Sequence, residues 1–147
     1  MSNLYLRTSL YSATQVRELD RIVIEEFDIS GYELMLRAGR FSLEILKKTF
    51  PHEGFVHVIC GCGNNAGDGY VLAKLAIEDD DIYKVVIYNC FNPEKLKGDA
   101  KRAYQDLLTL EPDVRDFYSN GGVSENLEYL KEFVEKGVYV MLFLAPD

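Results

Sequence analysis

The sequence has no tryptophan, four prolines, two histidines and three cysteines among its 147 residues. Cys60, Cys62 and Cys90 cannot close a disulfide framework. Structural zinc needs four ligands, and Cys60-x-Cys62 with His57 nearby brings no second pair. Reduced thiols in a cytoplasmic chain are therefore expected. Basic residues are scarce as well: 16 Lys and Arg stand against 24 Asp and Glu, for a formal charge of −8, with no basic run or stripe. Nucleic-acid binding depends on such cations to displace phosphate counterions, so nucleic acid is not an expected partner. Met1 to Leu10 carries one charge and no signal-peptide core, and the longest apolar run, Gly137 to Pro146, is too short to span a bilayer. No membrane role is expected. What is present, 48% hydrophobic and 27% charged residues, is the composition of one ordinary globular domain with a real core.

Ser12-x-x-Gln15 reads as a capping box, and Val16, Leu19, Ile22, Val23 and Phe27 follow at helical spacing. Ser30-x-x-Glu33 repeats the signal ahead of Leu34, Ala38, Phe41, Ile45 and Leu46, and Pro51 and Gly54 close that second helix. The rhythm then changes. Residues 55–60 form a short β-branched run between glycines and predict a buried strand, with further strands at 84–89, 114–118 and 138–144. Helices are predicted from Asp68 or Gly69 to about Glu78, from Lys97 to Leu110, and from the cap Ser124 to Gly137, after a turn at Asn120-Gly-Gly122. The acidic cluster Glu78–Asp81 reads as a solvated turn. Strands alternating with helices predict an α/β fold, a parallel sheet with helices on both faces and two helices ahead of it. Ligands of such sheets bind at the carboxyl ends of the strands.

The segment after the first strand, Gly61-Cys-Gly-Asn-Asn-Ala-Gly-Asp-Gly69, holds four glycines in nine residues. Successive backbone N–H groups and a helix N-terminus suit phosphate, Asn64 and Asn65 add amides, and Asp68 adds a carboxylate. No Lys lies between Gly61 and Val71, which excludes the Walker loop. The dinucleotide fingerprint fits Gly61, Gly63 and Ala66, yet the end of the second strand offers Tyr88, Asn89 and Cys90 instead of the ribose-binding acid. An NAD-dependent oxidoreductase is thus the weaker alternative. A mere connector would not need two adjacent asparagines and an aspartate among its glycines.

Cys60-Gly-Cys-Gly-Asn-Asn-Ala-Gly-Asp-Gly-Tyr-Val71 resembles the G-x-G-N-N-G-G-D-G-Y-V signature of the YjeF N-terminal domain, the NAD(P)H-hydrate epimerase family. Tyr11-Ser-x-x-Gln-Val-Arg-x-Leu-Asp20 is similar to that family's opening helix, and Gly31-Tyr-Glu-Leu-Met-x-Arg-Ala-Gly39 to its second. Leu96-Lys-Gly-Asp-Ala100 is similar to the L-x-G-D-A after its second strand. The resemblance is especially close to the N-terminal half of bacterial bifunctional enzymes, in which an ADP-dependent dehydratase follows. It implies a Rossmann-like three-layer αβα domain and a metabolite-repair isomerase. The family interconverts the R and S hydrates of NADH and NADPH, so that an S-specific dehydratase can restore the cofactor. By the resemblance, Asn64, Asn65, Ala66, Gly67 and Asp68 bind substrate, and Asn65 also holds a potassium ion. Asp68 is the carboxylate available as catalytic acid or base, with a helix N-cap role as its alternative.

The chain departs from the family at two places. Ala66 stands where the family has glycine, which matters only if that position needs positive φ. Aligning Leu142-Phe143 with the L-F of V-D-A-L-F-G-T-G puts Val140 at the potassium-binding aspartate, and neither glycine survives. The expectation is one partial domain, residues 1–147, incomplete at its C-terminus, with impaired epimerase activity. The alternative is a catalytically silent nucleotide-binding or dimerisation module of the same family. Val138, Val140, Leu142 and Leu144 on one face of the last strand predict a homodimer.

Overall fold

The computed structural model describes residues 11–79, 83–119 and 139–143. The chain divides into two compact units, Met1–Gly31 and Tyr32–Asp147. The first contains α1 (Ala13–Phe27). Its start is fixed by the reciprocal pair foreseen in the sequence: Ser12 N–H donates to Gln15 Oε1 at 2.8 Å and Gln15 N–H donates to Ser12 Oγ at 3.2 Å. Arg21 ties the exposed side of α1 together through Glu18 and Glu25, one turn to either side.

The second unit takes up α2 (Gly31–Thr49) from Tyr32 onward, followed by β1 (Gly54–Cys60), α3 (Gly63–Glu78) and β2 (Tyr83–Asn89). A 3₁₀ turn at Pro93–Lys95, α4 (Gly98–Leu108), β3 (Asp113–Asp116) and β4 (Tyr139–Phe143) complete it. The strands form one sheet in the order β3-β2-β1-β4, every pair parallel. The predicted strands and the α/β class are thus present. The helix expected from Ser124 to Gly137 and the turn at 120–122 lie outside the described residues.

β1 is an interior strand between β2 and β4, and its residues from Val56 to Cys60 are all buried, so neither of its faces is open to solvent. One face carries Val56, Val58, Cys60, Val85 and Ile87, packed with Met35 and Leu46 of α2, Tyr70 and Val71 of α3, and Ala103 and Leu107 of α4. The other face gathers Ile59, Val86, Tyr88, Cys90 and Phe117. His57 belongs to that face, stacked on Tyr88 with its Nδ1 2.8 Å from the tyrosine hydroxyl. Burial, and then the Arg115 charge, push the His57 pKa below its ordinary value.

Two sequence expectations change. α3 begins at Gly63, five residues ahead of Asp68, because Gly63 takes the left-handed turn at φ +68° that lets the helix start directly behind β1. The acidic cluster is not wholly a solvated turn: Glu78 closes α3 and is exposed, but Asp79 is half-buried and pairs with Lys47 Nζ at 2.7 Å.

Candidate functional site

The strand order decides where a ligand can sit. From β1 the chain moves outward through β2 to β3, while β4 lies on the opposite side of β1. The carboxyl ends of β1 and β4 therefore flank the point where the winding reverses, the usual crevice of such sheets. Gly61, Cys62 and Gly63 lie at that point, since Cys60 is the last residue of β1 and pairs with Phe143 of β4.

Cys62 is the N-cap of α3 in extended conformation, and its side chain makes no capping bond. The first turn of α3 also holds no acidic residue. Its N–H groups and the positive end of the helix dipole are left for an anion. Asn64, Asn65 and Asp68 occupy positions i, i+1 and i+4 and so share one face of this helix. Asn64 is exposed, and Asn65 and Asp68 are half-buried. Asp68 is not the N-cap that was its alternative role: it lies more than a turn inside α3.

Ala66 and Gly67 turn the other way and are buried. A Cβ on Gly67 would stand 2.5 Å from both Sδ and Cε of Met35 and 3.0 Å from Ala100 Cα. This glycine is what lets α3 approach α2 and α4 closely. Ala66 has no positive φ and is fully enclosed, so an alanine fits where the family has glycine. Of the five expected substrate-binding residues, the structure brings Asn64, Asn65 and Asp68 to one surface, whereas Ala66 and Gly67 support that surface from the core.

Sequence reasoning searched the end of β2 for a carboxylate and passed over Asn89. Its side chain is fully buried at the centre of a polar network. Tyr70 of α3 donates its hydroxyl to Asn89 Oδ1 at 2.8 Å, and Asn89 Nδ2 donates to Tyr104 of α4 at 3.3 Å and to Asp116 Oδ1 at 3.0 Å. The Asn89 carbonyl also accepts Phe117 N–H at 2.8 Å. One amide thus couples α3, α4 and the end of β3 at the edge where the ligand would lie. The signal available in the sequence was the polar residue closing the buried run Val85–Tyr88. Burial pushes the phenols of Tyr70 and Tyr104 and the thiols of Cys60 and Cys90 upward. Burial of this kind favours the neutral, weakly nucleophilic form of both thiols. All three cysteines are free.

The potassium site implied by the resemblance does not fit the residues present. Val140, the counterpart of its aspartate, pairs with His57 in mid-strand, three residues before the Cys60–Phe143 edge. A hydrocarbon side chain there supplies no oxygen, which leaves Asn65 alone among the residues assigned to the ion. Among the described residues no three His, Cys, Asp or Glu side chains gather into a metal site. Among the same residues no helix is long and apolar enough to cross a membrane.

Residues 31–128 match the family model described as YjeF-related protein N-terminus. The chain is 45% identical over 96 residues to the bifunctional NAD(P)H-hydrate repair enzyme Nnr of Coxiella burnetii, covering 65% of this chain and 19% of that protein. It is 32% identical over 110 residues to the NAD(P)H-hydrate epimerase of Roseobacter litoralis, covering 71% of this chain and 47% of that one. The chain thus spans less than half the length of these curated relatives. The crystal structure of yeast ynu0, YNL200c, superimposes with a TM-score of 0.66 at 19% identity, over 93% of this chain and 56% of that one, and shows a shared fold.

Proposed function

The chain belongs to the YjeF-related N-terminal family, and from that premise we propose that it binds hydrated NADH or NADPH at the carboxyl edge of β1 and interconverts the R and S hydrates. The observation that carries this reading is the uncapped start of α3 at the reversal point, with Asn64, Asn65 and Asp68 on one face beside it. Backbone N–H groups at such a helix start take the phosphates of a dinucleotide, and the two amides take its polar edges.

The reaction asks little of the protein. The hydrate carries a hydroxyl on the carbon next to the ring nitrogen. The nitrogen lone pair expels that hydroxyl, which leaves as water once it has taken a proton, and an iminium remains. Water then adds to the opposite face and gives up one proton. Asp68 is the carboxylate at this surface that can lend the first proton and take back the second, so no net proton is consumed. In this reading the S hydrate passes to a separate S-specific dehydratase, and two relatives carry names that describe bifunctional repair enzymes. No step is routed through potassium.

A silent binding module is the second reading, favoured by Val140 and by the absence from Tyr139–Pro146 of the glycines that would complete the phosphate cradle. Groups from several loops must be held together for full turnover. The proposal is therefore intact binding with turnover below that of family members that carry the aspartate and those glycines. Pairing of two copies through β4, an edge strand among the described residues, belongs to the same proposal. The test follows R-to-S conversion with excess S-specific dehydratase and its nucleotide, adding this chain at stoichiometric amounts. Conversion above the spontaneous rate that Asp68→Asn removes is the expected result. A trace at the spontaneous rate would leave only the silent module.

A further inference from the structure

In the reading proposed above, the start of α3 takes the phosphates and Asn64 and Asn65 take polar edges of the ligand, which leaves its ribose hydroxyls unread. The register sets Cys60, Asn89 and Asp116 in one row across the carboxyl edge. With neighbouring strands about 4.8 Å apart, Asp116 stands roughly 10 Å from the end of β1. In doubly wound sheets a carboxylate closing the second strand takes the ribose hydroxyls. Here that place is held by Asn89. Both of its amide protons and its amide oxygen are already engaged by Tyr104, Asp116 and Tyr70, so it has no donor left to offer a ligand.

Asp116 is different. Its carboxylate is held by Asn89 Nδ2 at 3.0 Å and by a hydrogen bond with the Tyr118 phenol, yet the residue is exposed at the edge and keeps acceptor capacity for a ligand. Its neighbour Arg115 pairs with Asp113 at 3.2 Å, and among the described residues no cation forms an ion pair with Asp116. A carboxylate so placed accepts hydrogen bonds and repels anions. It suits a hydroxyl pair and disfavours a phosphate.

We infer that Asp116, positioned by Asn89, reads the ribose hydroxyls of the nucleotide bound at the β1 edge and selects a free 2′-hydroxyl over a 2′-phosphate. The inference rests on the nucleotide reading of that edge and extends it to specificity: the NADH hydrate is preferred to the NADPH hydrate. Asn89 is the positioning residue and Asp116 the specificity-determining one.

The test uses the full chain with two stable probes, ADP-ribose and 2′-phospho-ADP-ribose, measured by calorimetry and by amide NMR shifts. Inorganic diphosphate serves as a third arm. Wild type should bind ADP-ribose about tenfold more tightly than its 2′-phosphate, from the repulsion of like charges a few ångströms apart near the surface. Asp116→Asn keeps an acceptor for Asn89 and removes the charge, and should bring the two affinities to near parity. Diphosphate should shift the Asn64–Gly67 amides without moving Asp116, whereas ADP-ribose should shift both. Equal binding of the two probes by wild type, or a ratio unchanged in Asp116→Asn, overturns the inference while the nucleotide site stands. If no probe shifts the start of α3, the nucleotide reading itself fails and carries this inference with it.

Discussion

Replacing Gly39 by alanine opposes helix propensity to packing, and the structure decides which wins. In an exposed helix interior the change stabilises by about 1 kcal/mol. At position 39 the added Cβ would lie 2.3 Å from Val71 Cγ1, 2.8 Å from Val71 Cβ and 3.2 Å from Leu72 N. Carbon atoms rest at about 3.5–4.0 Å, so the first of these contacts is too close by more than about 1 Å. Val71 cannot swing away, because a β-branched residue in a helix has one strongly preferred rotamer. The Leu72 nitrogen is backbone and moves only with α3. Overpacking of this kind costs about 1–3 kcal/mol, and the overlap at Val71 places Gly39→Ala at the upper end. Subtracting the propensity gain leaves a net loss of about 2 kcal/mol. Urea unfolding followed by circular dichroism should show a lower midpoint at unchanged slope. Combining Gly39→Ala with Val71→Ala should recover about 1 kcal/mol relative to the sum of the single changes. A Gly39→Ala protein as stable as wild type would refute the close approach of α2 and α3.

Asn89→Leu removes the partner of the buried Tyr70 hydroxyl and should cost about 2 kcal/mol or more in chemical denaturation, since an orphaned buried group alone costs about 1–3 kcal/mol. His57 has a folded pKa held below the ordinary 6.5, so the unfolded chain takes up its proton first. Its contribution to stability is present above about pH 6.5 and is lost as pH falls through the folded value; His57→Gln should flatten that decline in urea midpoints measured from pH 7.5 to 5. Exchanging potassium for sodium at constant ionic strength should leave ADP-ribose affinity unchanged within about twofold, because Val140 offers no ligand oxygen.

The sequence was most readable where its local signals agreed. Ser12 and Gln15 announced the start of α1, and the apolar β-branched runs at 55–60 and 84–89 announced β1 and β2 within a residue. The start of α3 was misplaced for a physical reason. Glycine and asparagine have weak helix propensity, so Gly63–Gly67 read as loop, whereas close packing of Gly67 on Met35 and Ala100 holds it helical. The face shared by Asn64, Asn65 and Asp68 follows from spacing once that start is known. The link between Asn89 and Asp116 had no such signal: 27 residues separate them, and only the parallel pairing of β2 with β3 brings them together. The mid-strand position of Val140 was hidden for the same reason, because register is not written in a motif.

The central claim is that the edge formed by β1 and the start of α3 is the hydrate site. Its most direct test is an amide NMR titration of the full chain with NADH hydrate, and with NADPH hydrate in parallel. The account predicts saturable shifts confined to Asn64–Gly69 and the end of β3, weakened in Asn65→Ala and in Asp68→Ala. Saturating hydrate that leaves Asn64–Gly69 unmoved would contradict it.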